Sequence, residues 1–578
     1  MDTVPSSPKF YLSDLRGDII LLSTLLSHKQ FEESQPKVRN REHRPLALLH
    51  NIATVLTTGT VDSPAASTVV AVFGEISEDL MVSKLVIAQN TGPTGEGEGL
   101  PFSSSFTVSP MVCDTGSGKQ ALKNWNTIPS NFSAETHIQD TMNILKYISD
   151  APDSDILELL PLLFHRRAIL KFIWRIQNFT THWIVLAFRL MMDHINVILQ
   201  HSDLAGDFII PLGPAQVAVI SRYGLVCEKL PTPNEFVPQD FHDSLYRISL
   251  TYENLAIWIN VFIDLWQMLV QATLIPKTSP SPPPDNSPPL PAYCPREDQP
   301  GHQELIIICL YISILYELQP LLKHLLLHPH ITLLRALQNA EFDVRKAKSN
   351  GQSSRVILHS EVESEYLHEQ DESHTDHVLR TLGTVLAWHT SSIALYHHRH
   401  SFSSPSIHFY QLHCGKMSVF HFSNEECRSV LKAVAPKREW TEKEVSQLSK
   451  RARYLTIHAE AALMGWIMSE QSSDSTDPDS IATGKKCCAL CWDMHELSET
   501  ELEDPIQFHL PGTHATFHPW APPFGVPEAI LVKLRDHMIT VFSRVRQSHS
   551  RQSSGSNSDA EKMARPFLKL ELSDEDFA

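Results

Sequence analysis

His458-Ala459-Glu460 opens an apolar-patterned stretch (Ala461, Leu463, Met464, Ile467), and further along the chain Cys488 and Cys491 stand at i, i+3. A neutral imidazole and two thiolates are three tetrahedral ligands for zinc and leave a fourth position for water. Catalysis needs such an open position, because the metal then lowers the pKa of that water toward about 7. Glu460, beside the metal without ligating it, has the chemistry to take the water's proton and hand it to a ring nitrogen and a leaving amine. Other readings of the same residues stay open. Cys487 offers a wider pair with Cys491; His495, His509 or His514 would complete a purely structural zinc site; and a Cys-x-x-Cys can do redox work, although no thioredoxin-like βαβ pattern surrounds this one. His302–Glu304 and His359–Glu361 repeat the His-x-Glu pattern with no cysteine pair behind them.

The elements needed to bring these residues together can be read locally. With His458 and Glu460 in the first turn of a helix, both face one end of it. Cys488 and Cys491 share a face if a second helix begins there. A helix start and the adjacent Lys485-Lys486 both favour thiolate over thiol. Two helix starts facing one another would close the site. Upstream, Ser406–His413 and Met417–Phe422 read as two short strands around Cys414-Gly415. Thr441-Glu442-Lys443-Glu444 is a capping box, and a last helix is expected from near Pro527 to about Val545. Trp492 is read as core, with base stacking as its functional alternative, and His514 and His518 as surface or strand histidines.

The rest of the chain reads as helix and linker. Residues 1 to about 80 are expected to be helical, with Leu15, Ile19, Leu22 and Leu25 at helical spacing, and Asn90 to Gly118 a long loop. Gly116-Ser117-Gly118-Lys119 is not a phosphate loop, since Cys113 and Gln120 occupy positions that need Gly and Ser or Thr. Residues 135–275 are dominated by helical patterns. Ten prolines lie between Pro276 and Pro300, which favours an exposed extended spacer. The expected division is therefore 1–275 mainly helical, 276–303 a Pro-rich linker or loop, 304–397 helical, 400–547 the zinc domain and 548–578 a disordered tail.

Composition narrows the function classes. The 578 residues are 42% hydrophobic, and 66 acidic against 48 basic residues give a formal charge of -18. A wholly disordered chain and bulk electrostatic binding to nucleic acid are both disfavoured. Nine cysteines are too sparse for a secreted disulfide scaffold. The start has no signal-peptide pattern, and no membrane span is expected: Leu305–Tyr316 is too short, and Leu255–Ala272 carries Asn260 and Asp264 and reads as a buried helix. A reducing compartment, cytoplasmic or nuclear, is expected.

The segment TIHAEAALM…ATGKKCCALCWDM resembles the cytidine deaminase-like superfamily, whose signature is H-x-E followed by P-C-x-x-C. Within it the segment is most similar to the OTT_1508-like deaminases, a group expanded in fungi. Their usual form is an HAE helix and a Gly-x-Ser-Lys-x-x-Cys-x-x-Cys strand-to-helix turn. Here Lys485 replaces the family's Ser and Cys487 the superfamily's Pro. The resemblance covers roughly residues 400–550. It implies an α/β C-terminal domain, an α/β/α sandwich with a central mixed sheet, preceded by the large mainly α-helical region. It also implies His458, Cys488 and Cys491 as ligands of Zn2+ and Glu460 as proton shuttle, with Cys488 preferred to Cys487 on family spacing. The implied reaction is zinc-dependent hydrolytic deamination of an amino-substituted nucleobase, nucleoside or nucleic acid, with zinc-bound water as nucleophile. Between Leu431 and Val545 acidic residues outnumber basic ones, 16 to 12, which leans away from single strands and toward a free or protein-held base. The competing expectation is an inactive interaction or scaffold protein with a structural zinc site, binding protein partners through the helical region or the Pro-rich linker.

Overall fold

Short apolar runs bounded by polar residues, Val70–Ile76 and Val82–Gln89, form the middle of a six-stranded sheet in a computed structural model of the chain. The structure describes residues 8–27, 44–59, 69–92, 105–126, 133–150, 155–178, 188, 191–192, 195–198, 204–231, 244–276, 293–295, 299–327, 374–415, 417, 419–470, 479–484, 486–513 and 515–553. Two units emerge. One gathers Met1–Ala53, Thr68–Val112 and Ser404–Ala578; the other is Thr54–Ser67 with Cys113–Ser403. The linear division expected at about residue 400 differs from this. The unit holding His458, Cys488 and Cys491 draws its central strands from the N-terminal part of the chain.

In that unit we number the helices α1 (Pro8–Leu26), α2 (Arg44–Leu56, within this unit as far as Ala53), α3 (Asn424–Val434), α4 (Glu442–Arg451), α5 (Ala459–Ser469), α6 (Ala489–Thr500) and α7 (Glu528–Ser553). The strands are β1 (Val70–Ile76), β2 (Val82–Gln89), β3 (Phe106–Met111), β4 (His408–Cys414), β5 (Asp479–Thr483) and β6 (Phe508–His509), in the sheet order β6-β5-β1-β2-β4-β3. The sheet is mixed. β1 is antiparallel to β5 and β2, with Val72 opposite Ala482 and Ile87, whereas β2 runs parallel to β4 and β5 parallel to β6. β1 and β2 are buried on both faces along most of their length, which is why they read as continuous apolar runs instead of alternating ones.

Successive residues of a strand point to opposite faces. Phe73 meets Trp466 of α5 edge to face, with ring centroids 6.0 Å apart. Its neighbour Gly74 faces Leu49 of α2, so closely that a Cβ there would lie 2.8 Å from Leu49 Cδ2. Helices therefore lie against both faces of β1. Ala71, Phe73, Val86 and Ala88 share one apolar cluster with Leu15, Ile19 and Leu22 of α1, Leu463 of α5, Leu490 of α6 and Leu534 of α7. α4 begins at the predicted capping box, where Thr441 Oγ1 accepts from Glu444 N and Glu444 Oε2 from Thr441 N.

Four local expectations need correcting. Residues 70–76 are a strand, not part of a helical region, and the expected loop between Asn90 and Gly118 contains β3 and the start of the helix Thr115–Lys123. Of the two strands expected after Ser406, the first is β4. Among the described residues of the second, none is in a strand; Met417, Val419 and Phe420 are buried as core instead. α7 continues to Ser553, past the expected end near Val545, and 554–578 lies outside the described residues.

The other unit contains the helices Ala134–Asp150, Asp155–Arg167, Leu255–Thr273, His302–Glu317 and His374–His397. The helical reading missed its three-stranded antiparallel sheet of Gly206–Leu212, Ser244–Leu250 and Cys227–Lys229. Gly116–Lys119 lies in a helix whose first amides are occupied, Asp114 accepting from Gly116 N and Ser117 N at 3.2 and 2.7 Å. Leu255–Thr273 is long and apolar enough to cross a membrane, as are His302–Glu317 and Gln319–Leu327 taken together, though the latter two meet at a 53° bend. Trp258, Phe262, Leu265 and Trp266 of Leu255–Thr273 are buried within the protein. Most of the Pro-rich stretch lies outside the described residues.

Candidate active site

α5 and α6 each begin on a residue of the predicted constellation. His458 is the N-cap of α5 with extended backbone, and Glu460 lies in the first turn; Cys488 is the N-cap of α6, and its sulfur accepts from Cys491 N at 3.4 Å. A helix begins at Ala459 because Ala, Glu and Leu favour it and because its first amide has a partner in the N-terminal part of the chain. Asn90 Oδ1, immediately after β2, accepts from Ala459 N at 2.8 Å. Thr91 and Ile457 also exchange backbone hydrogen bonds of 3.0 and 2.8 Å.

Four side chains meet at these two helix starts. Cys488 Sγ lies 3.4 Å from His458 Nδ1 and from Cys491 Sγ, and Cys491 Sγ lies 3.6 Å from His458 Nδ1. Tetrahedral zinc, with Zn–S of about 2.3 Å and Zn–N of about 2.0 Å, sets sulfurs about 3.8 Å apart and S to N about 3.5 Å apart. The donor set fits that ion. Glu460 Oε1 is 3.9 Å from His458 Nδ1, and one ligand atom of each of the four residues falls within 4.8 Å of the others. All four are buried. Cys487 is outside this group; its backbone instead bridges to Gly512 and Thr513, with Cys487 N donating to Gly512 O at 2.9 Å.

The ring of His458 is oriented by its far nitrogen. Pro519 O lies 3.2 Å from Nε2, and a carbonyl can only accept, so Nε2 carries a proton and Nδ1 is the nitrogen turned to the sulfurs. This is the outer-shell arrangement that fixes a ligating histidine's tautomer. The two thiols behave as a coupled pair. Burial opposes ionisation at Cys488, but hydrogen bonding with Cys491 and the nearby His458 ring outweigh it and hold that thiol well below its ordinary range. Burial, then the neighbouring Cys488 and Glu460, push Cys491 well above. Two thiols close together in a dry site release one proton readily and keep the second until a cation replaces it.

Other singled-out residues have bland surroundings. Trp492 is buried and donates from Nε1 to Glu496 Oε1 at 2.8 Å. His495 is buried between the rings of Trp492 and Phe508, away from the four-residue group. His518 is buried, not a surface histidine. His514, Lys485 and the His359–Glu361 pair lie outside the described residues. Sequence reasoning missed Asn90 and Pro519; no local pattern around either marks it as a partner of the HAE helix.

Two helix starts beside a mixed sheet bring His458, Glu460, Cys488 and Cys491 together as a candidate metal centre. Residues 457–524, which contain all four side chains, match the family model of the OTT_1508-like deaminases. No curated protein and no solved structure matches the chain.

Proposed function

We propose that this chain is a zinc-dependent hydrolytic deaminase acting on an amino-substituted nucleobase, nucleoside or nucleic acid. His458 Nδ1, Cys488 Sγ and Cys491 Sγ would hold the metal. Bound zinc supplies the Lewis acidity that makes water a nucleophile near neutral pH. Glu460 takes a proton from the attacking water and delivers it to the ring nitrogen. Proton transfer to the exocyclic amine then lets it leave as ammonia while the ring carbon keeps the water's oxygen. Burial of Glu460 beside the three donors carries the reading, because zinc binding by two thiols and an imidazole does not itself need this carboxylate. The excess of acidic over basic residues between Leu431 and Val545 favours a free or protein-held base over a nucleic-acid strand. Thiol ligands suit a reducing compartment, cytosol or nucleus.

A second reading rests on the same 4.8 Å grouping: Glu460 closes the site as a fourth ligand, the metal is structural, and the chain is an interaction protein. Glu460→Gln separates the two. On the deaminase reading the full chain keeps its zinc and loses ammonia release from its base substrate by about 100-fold or more. Loss of zinc, or ammonia release at the native rate, sinks that reading.

A further inference from the structure

We infer that α1 positions the metal ligand His458, acting at a distance through residues 519–525. The inference rests on the reading of His458 as a zinc ligand. Pro519, Pro522 and Pro523 have no N–H, so this segment, buried at 520–523, cannot build a regular ladder, and its carbonyls need donors from elsewhere. They find them on two sides. Arg16 of α1, itself buried, donates from Nη1 to Pro522 O at 3.0 Å and to Pro523 O at 2.8 Å. Ser23, two turns further along α1, accepts from Trp520 N at 3.2 Å, and its own hydrogen is shared between Ile20 O and Trp520 O at 2.9 and 3.0 Å.

On its other side the segment is held by the helix that His458 caps. Ala521 N donates to Thr456 O at 2.9 Å. Gly465 of α5 and Gly525 meet backbone to backbone: a Cβ on Gly465 would lie 2.5 Å from Phe524 O, and one on Gly525 would lie 2.2 Å from Gly465 O. Gly525 also has φ +83°, where a side chain is strained. Between these two anchors stands Pro519 O, the acceptor that keeps His458 Nδ1 turned to the cysteines. A shift of the segment away from α1 moves that acceptor, and with it the ligand's tautomer and aim. Outer-shell partners of this kind typically affect metal affinity by about 10- to 100-fold.

The test is zinc affinity of the full chain by chelator competition, alongside the visible spectrum of the cobalt(II)-substituted protein, whose bands report ligand geometry. Ser23→Ala and Arg16→Lys are compared with Ile19→Val, which thins the same helix's core packing and removes no hydrogen bond to 519–525. Zinc affinity about 10-fold weaker in the first two variants, with shifted cobalt bands and native values in Ile19→Val, is the expected result. Ser23→Ala is mild enough to fold even if Arg16→Lys is not. Folded Ser23→Ala with native affinity and an unshifted spectrum overturns the inference and leaves the proposed metal site standing, as does an equal loss in Ile19→Val. A native chain that takes up no zinc overturns both.

Discussion

Asn90 Oδ1 accepts the backbone N–H of Ala459 across 2.8 Å of space and 369 positions of sequence. Ala459 N–H is one of the donors that a helix start leaves without an intrahelical partner, so a residue at the end of β2 determines where the helix bearing Glu460 begins. Asn90→Ala removes the acceptor and leaves that amide facing a buried site. The expected cost is about 1 kcal/mol of stability, read as a lower urea midpoint with an unchanged slope. A midpoint equal to that of the native chain would show that the bond contributes nothing.

The same long-range pairing makes residues 404–553 an incomplete fold. β1 and β2 lie between β5 and β4, so the fragment has neither the middle of its sheet nor α1. It is expected to melt without a cooperative transition, and coexpression with residues 1–112 to restore one. A sharp two-state melt of 404–553 alone would contradict the discontinuous unit.

Acid is expected to destabilise the unit that contains Cys113–Ser403. Burial is the leading cause that lowers His137 to about 3, His165 to about 3 and His389 to about 4, with Arg167 adding to it at His137 and His389 at His165. These rings are neutral when folded and take up protons on unfolding. Their contribution is therefore complete above the unfolded value of 6.5 and is lost as pH falls from there toward about 4 for His389 and about 3 for His137 and His165. At pH 5 the loss is roughly 2 kcal/mol for each ring, and because all three are neutral in the folded chain at that pH their losses add. In the other unit Asp479, pushed up to about 6 by burial and Glu75, works with the opposite sign, its cost relieved as pH falls through that value. Urea midpoints followed by helical circular dichroism at pH 7.5 and pH 5 check this. A flat profile would mean that the three rings are protonated in the folded protein.

Local features were legible in the sequence where the cause is itself local. The capping box at Thr441, the helix starts at His458 and Cys488, and the apolar stripe of α1 all depend on residues within a few positions of one another. β1 was missed because a short apolar run buried on both faces has no period to separate strand from helix, and its partner β5 lies in the C-terminal part of the chain. The membership of Thr68–Val112 in the unit that holds His458 and the cysteine pair was hidden for the same reason: no local pattern reports a pairing such as Lys84 with His408. Pro519 was missed because it contributes a backbone carbonyl, which every residue has.

His458, Cys488 and Cys491 are proposed to build a metal centre beside Glu460. Its most direct test is zinc content per full chain in the native protein, Cys488→Ala and Cys487→Ala. About one zinc per chain is expected, lost with Cys488→Ala and kept with Cys487→Ala. A folded native chain without zinc, or zinc that follows Cys487 and ignores Cys488, would contradict it.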